Sequence, residues 1–226
     1  KKEILLYSRL GIITSQKDDI DLIYNKFDKA HTFVLYSDYQ NYETLNMVNA
    51  HKASVAFISL EDDSEALMYV LGFKKNFPEP CIVVSLQKPR LKETFRAAGV
   101  TYAVARSEIA SKLVASYIFE PDVANMNAEF LSSSRSDDDH DLQEYEVTSN
   151  NPYTGKNCIE TFLDLKKTYN AILMGIYKKD LDKIITNPGD DISVELGDFL
   201  VILSNGSCKK RLQHDFKVQE GRVTKV

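Results

Sequence analysis

Between Glu3 and Phe119 the sequence alternates short apolar runs with helix-period segments five times, over short connections. That rhythm constrains the fold most. Neighbouring parallel strands need a crossover, and a helix in each crossover builds right-handed units into one sheet. The runs are Glu3–Ser8 (EILLYS), His31–Ser37 (HTFVLYS), Ala53–Ser59 (ASVAFIS), Cys81–Leu86 (CIVVSL) and Val100–Ala105. They are apolar throughout rather than alternating, which reads as strands buried on both faces. Arg9–Ser15 reads as a loop. Helices are expected from about Gln16 with Ser15 as N-cap, over Tyr42–His51, after Leu60, from Pro89 to Gly99 and over Ser107–Phe119. The expectation is an α/β, Rossmann-like, doubly wound and mostly parallel sheet over residues 1–119.

Pro121 breaks the alternation. Residues 122–131 read as a crossover helix outside the sheet, with Val123, Met126, Phe130 and Leu131 apolar. A helix with nothing of its own to bury against is expected to pack on a second copy, giving a homodimer. Ser132–Asp139 (SSSRSDDD) reads as a solvated linker, and the run ending at His140 could hold a divalent ion. Residues 120–140 thus separate two domains. From Asp141 the pattern changes to the strand EYEVTS, the turn NPYTGKN, a helix over Cys158–Lys166 and a strand over Asn170–Tyr177. Short strands follow, with turns at Asn187-Pro188-Gly189 and Gly197-Asp198, then a helix from Ser207. Residues 141–226 are expected to be a small α+β domain.

Composition excludes several classes. The net charge of −5 offers no basic surface for nucleic acid. No apolar run approaches the roughly 20 residues of a membrane helix, and KKEILLYSRL lacks a signal-peptide core. Cys81, Cys158 and Cys208 form no zinc spacing and no disulfide framework, and read as buried thiols in a reducing cytosol. His31, His51, His140 and His214 are scattered. There is no GxSxG, HExxH or Walker lysine loop. No catalytic acid or base stands out, so an enzyme is not expected.

The chemistry concentrates in Leu60–Lys75 (LEDDSEALMYVLGFKK), where Glu61, Asp62, Asp63 and Glu65 join a strand end to a first helical turn. Acids there cap orphan N–H groups and suit the helix dipole. The same edge of an open α/β sheet is where ligands bind, so capping and a cation site both remain open. Asp62 and Glu65, three apart, face one side of a helix. Asp63 is turned by about 100° and points at the strand ends. A dinucleotide loop would need GxGxxG after the first strand, where SRLGIIT offers only Gly11 and places Leu10 against an approaching phosphate. Nucleotide binding is therefore expected to be weak or absent.

LEDDSEALMYVLGFKK, CIVVSL, FRAAGVTYAV and SEIASKLVASYI resemble RCK domains, also called TrkA-N domains, which regulate potassium conductance. The likeness is greatest to the gating-ring domain of archaeal calcium-gated potassium channels. GKNCIETFLDLKKTYNAILMGIYKKD followed by ITNPGDDISVELGDFLVIL resembles the TrkA-C domain that follows them. The resemblance implies a ligand-sensing module without catalytic activity. It implies homodimers assembled into a larger ring, an octamer, beneath a potassium channel pore at the inner face of the cell membrane. A nucleotide-sensing peripheral subunit of a Trk or Ktr-type transporter is the alternative. It implies calcium as ligand, with Asp63 matching one family acid and Asp62 and Glu65 beside it. The two further acid positions fall on Ser85 and Gln87, which are not carboxylates. Between Tyr39 and Ala53 a strand and turn usual in the family are missing, which trims one sheet edge.

Overall fold

The computed structural model describes residues 10–27, 29–131 and 136–222. The chain divides into two compact units, one running to Lys112 and the other starting at Leu113.

The first unit contains β1 (Leu10–Thr14), α1 (Asp19–Lys26), β2 (Thr32–Tyr36), α2 (Tyr42–Met47), β3 (Val55–Ile58), α3 (Asp63–Asn76), β4 (Cys81–Leu86), α4 (Lys92–Ala97) and β5 (Tyr102–Ala105). Helix α5 (Arg106–Phe119) crosses the boundary. All strand pairs here are parallel, as the helical crossovers require. The ladders form two pieces, β1-β2 and β3-β4-β5.

Strand β4 is flanked on both sides, and Ile82, Val84 and Leu86 are completely buried against Ala66, Val70 and Phe73 of α3 and Phe95 of α4. The expected two-sided burial fails at β3 and β5. Phe57 is 66% exposed, and Val55 and Tyr102 are also open. Helix α5 buries none of its residues.

The strand expected at Glu3–Ser8 lies outside the described residues. Other expectations need correction. The stretch expected as a loop supplies β1, because Gly11-Ile12-Ile13-Thr14 is rich in β-branched residues and pairs with Phe33–Tyr36. Leu10 therefore opens a strand and blocks no phosphate loop. The loop that follows is Ser15–Asp18, without glycine. Helix α1 begins at Asp19 rather than Gln16. Thr14, not Ser15, organises its start: its Oγ1 accepts from Gln16 N at 3.0 Å and donates to Asp19 Oδ2 at 2.7 Å. Helix α2 stops at Met47, since Asn49 is left-handed at φ 61°, and a single 3-10 turn follows over Ala50–Lys52.

The second unit contains α6 (Pro121–Leu131), β6 (His140–Glu146), α7 (Cys158–Tyr169), β7 (Ile172–Lys178), β8 (Lys183–Thr186), β9 (Phe199–Asn205) and α8 (Gly206–Phe216). Its antiparallel sheet has the order β6-β9-β7-β8. Tyr145 and Tyr153 meet the Phe216 ring edge-on at 5.7 and 5.8 Å, in a core completed by Leu165, Ile176, Leu200, Ile202 and Leu212. Asparagines cap α7 and α8: Asn157 accepts from Glu160 N at 2.8 Å and Asn205 from Cys208 N at 2.9 Å. Helix α6 was expected to lack packing within its own chain. It lies against β6 and buries Ala124 completely. His140 opens β6 instead of closing a linker. Cys158 and Cys208 are buried free thiols, while Cys81 is partly exposed.

Candidate functional site

The carboxyl ends of β3 and β4 meet the start of α3, which gathers the acidic stretch at one sheet edge. Asp62 is the N-cap. Its Oδ1 accepts from Ser64 N at 2.8 Å and Glu65 N at 2.9 Å. Those backbone bonds, first from Glu65 and then from Ser64, hold the Asp62 carboxyl below the usual carboxylate range. Capping is therefore realised at Asp62.

Asp63 does something else. It is 3% exposed and turns toward the strand ends, where Oδ1 accepts from Gln87 N and Oδ2 from Lys88 N, each at 2.9 Å. Both carboxylate oxygens thus fasten the segment leaving β4. The other side of that segment is held too, since Ser107 Oγ of α5 donates to the Gln87 carbonyl at 3.3 Å. Lys92 and Glu108 form an ion pair between α4 and α5 close by. A continuous path runs from Asp63 through Gln87 to the first turn of α5.

Glu65 points the opposite way and accepts from the Tyr39 hydroxyl. That hydrogen bond, with some desolvation and the negative charge of Glu65, pushes the Tyr39 phenol up to about 12. Tyr39 sits edge-on to Tyr69 at 5.4 Å, and Tyr42 stacks on Tyr69 at 6.1 Å. Asp62, Asp63 and Glu65 are therefore neighbours in sequence with three different engagements. Their oxygens do not form a convergent three-carboxylate group among the described residues. Ser85 is buried, and Gln87 contributes its backbone rather than its side chain. A hard cation needs several converging oxygens, and this arrangement does not provide such a set around Asp63.

The carboxylates that do converge among the described residues are Asp180, Glu195 and Asp198, in the second unit. Two of them already share a cation. Lys178 Nζ donates to Asp198 Oδ2 at 2.7 Å, Glu195 Oε2 at 2.9 Å and the Ser193 carbonyl at 3.0 Å. The sequence reading missed this node. Its signal was the Gly197-Asp198 turn facing a lysine at the end of an apolar strand. The expected interface residues divide: Val123, Met126 and Leu131 are exposed on α6, and Phe130 is half-buried.

Residues 9–106 match the TrkA-N domain family. No curated protein matches the chain. Among solved structures, the human SLO3 gating ring aligns over 91% of this chain and 40% of its own, at 12% identity and a TM-score of 0.65. The GsuK RCK domain aligns over 93% of this chain and 46% of its own, at 14% identity and a TM-score of 0.41. The RCK C domain of the potassium transport protein KtrA, in complex with cyclic diadenosine monophosphate, aligns over 41% of this chain and 96% of its own, at 20% identity and a TM-score of 0.31. The SLO3 likeness is the one of these that bears on the fold. The chain spans less than half the length of that ring protein.

Proposed function

Residues 9–106 belong to the TrkA-N family and the chain has the fold of an RCK gating-ring domain, and from that premise we propose that it is a cytoplasmic, ligand-sensing regulatory module of a potassium-conducting membrane protein. No helix among the described residues is long and apolar enough to cross a membrane. In this reading the pore belongs to another part of the same protein or to a partner chain, and the module sits beneath it at the inner membrane face.

The observation that carries the reading is the path Asp63–Gln87–Ser107, which joins the ligand edge of a TrkA-N sheet to an apolar helix that buries nothing of its own. A ligand that favours one arrangement of the α3 start re-aims α5, and the helix transmits this to a neighbouring copy. The shift can be no larger than the ligand's differential affinity for the two arrangements. Val123, Met126 and Leu131 extend the apolar surface along α6. Copies joined through it form the homodimer from which a larger ring, an octamer, is assembled.

Calcium is the ligand we put forward. The exposed Asp62 and Glu65 are its candidate contacts; they converge only if Glu65 leaves the Tyr39 hydroxyl, and Asp63 sets the segment behind them. The transporter-subunit alternative needs a nucleotide, and the start of α1 is the place in the first unit where a dinucleotide would bind. There the loop Ser15–Asp18 has no glycine, and the Asp19 carboxylate, held by Thr14, puts a negative charge at the helix start, which disfavours a phosphate. Catalysis plays no part in this reading.

Light scattering on the chain titrated with calcium, and separately with NAD and ATP, tests it. The expected result is a calcium-dependent change in oligomer size that Asp62→Asn with Glu65→Gln abolishes. Micromolar binding of a nucleotide without a calcium effect would replace the channel reading with the transporter one. Met126→Asp with Leu131→Asp, both exposed, should yield monomers. Phe130 is better left alone because it is half-buried.

A further inference from the structure

Strand β2 is the outer strand of its ladder, and its far edge has no strand partner among the described residues. Strand β1 is the inner one, since its Ile13 packs against the core built on β4 and α3. The ladder's end bonds fix which backbone groups of β2 face outward. Leu10 N donates to the His31 carbonyl at 2.9 Å, and Ser37 N donates to the Thr14 carbonyl at 3.1 Å. In a parallel pair alternate residues turn to the partner, so the odd positions from 31 to 37 face β1. Thr32, Val34 and Tyr36 turn their N–H and C=O groups away from it.

One of those outward groups has a specific partner. Val34 N donates to the Tyr24 hydroxyl of α1 at 3.3 Å. The strand itself, TFVLY, carries no charge, proline or glycine, the devices that usually keep an edge from pairing. Phe33 and Tyr36 are exposed on it. Thr32 Oγ1 is buried without a hydrogen-bond partner.

We propose that the open edge of β2 is a strand-pairing site for a second copy of this chain, with β2 meeting β2 antiparallel about Val34 and the Tyr24 hydroxyl acting as its latch. The sequence is self-complementary for this. A two-fold axis at Val34 sets Thr32 opposite Tyr36 and Phe33 opposite Leu35. Every outward-facing residue then meets an outward-facing residue, and no charge repels the copy. Pairing requires Tyr24 to release Val34 N–H, so association through this edge is weak and concentration-dependent in the parent chain.

Amide hydrogen exchange of Thr32, Val34 and Tyr36, followed against concentration of the purified chain, reads this edge whatever other contacts the chain makes. All three amides should gain protection together as concentration rises. Tyr24→Phe removes only the hydroxyl and should lower the concentration needed roughly tenfold, since two latches are lost per pair. Val34→Pro removes the central outward N–H, is tolerated where that group faces away from the ladder, and should abolish the effect. Tyr36→Lys, at an exposed position, serves the same purpose should the proline variant fail to fold. Protection independent of concentration in both the parent chain and Tyr24→Phe overturns the proposal. So does protection by an added TFVLY peptide when the chain itself shows none, because the occupant is then another extended chain.

Discussion

Lys178 Nζ lies 2.7 Å from Asp198 Oδ2, and neither side chain is more than 8% exposed. Burial alone would lower the lysine pKa. The hydrogen bonds and charges of Asp198 and Glu195 outweigh that and hold it above the ordinary lysine range. Removing one partner strands a buried charge. Asp198→Ala should destabilise the second unit by about 3–5 kcal/mol in urea unfolding. Removing both charges together, as Lys178→Met with Asp198→Leu, should cost much less. Because the folded pKa is raised, this stabilisation is complete below the unfolded value of about 10.4 and is lost as pH climbs through the folded one. Urea midpoints measured from neutral into strongly alkaline pH should fall in the parent and change less in the double variant.

Asp63→Ala leaves the N–H groups of Gln87 and Lys88 without their carboxylate acceptor. A loss of about 1–3 kcal/mol is expected, with faster amide exchange at both positions. Asp63→Asn keeps one acceptor and should lose less. The decisive point is that both effects appear without calcium. A variant with parent-like thermal stability would remove the fastening role.

Asp62→Asn preserves an N-cap and removes its titration. The Asp62 pKa is depressed in the folded chain, so its contribution is present above the unfolded carboxylate value and lost as pH falls through the folded one. Melting temperatures of parent and variant should agree near neutrality. The parent alone should show this extra drop below about pH 4.

Gly72 of α3 is required by its neighbour. A Cβ built there overlaps the Tyr42 hydroxyl and comes within 2.9 Å of Tyr42 Cζ. The Tyr42 ring is stacked on Tyr69 and cannot swing away cheaply. Gly72→Ala should therefore destabilise by about 1–3 kcal/mol. In a Tyr42→Ala background the sign should reverse, because alanine then brings only its helix preference of about 1 kcal/mol. A double-mutant cycle on thermal unfolding checks both signs.

The parallel first unit was legible because β4 and α3 carry periods that burial alone explains. The boundary at β1 was not. LGIIT has a glycine and follows another apolar run, and that it pairs with β2 is decided by the ladder, outside any local window. The acids at α3 show the same limit. Their position at a sheet edge could be read from spacing. That Asp62 caps, Asp63 fastens Gln87 and Lys88, and Glu65 takes Tyr39 depends on partners as far as 26 residues away. The Lys178 node was missed because its members come from the end of β7 and the turn before β9, which meet only when β7 and β9 pair.

That pairing bears on how the chain is made. Strand β9 sits between β6 and β7 in space but follows both in sequence. During synthesis β6 and β7 leave the ribosome without their common neighbour, and both hold an unpaired backbone edge until Asn205 has emerged. The gap of roughly 50 residues between β6 and β9 makes closure slow as well as late. The second unit is thus the part of a nascent chain most in need of a chaperone's cover, and slowing elongation between Tyr177 and Phe199 would lengthen that exposure.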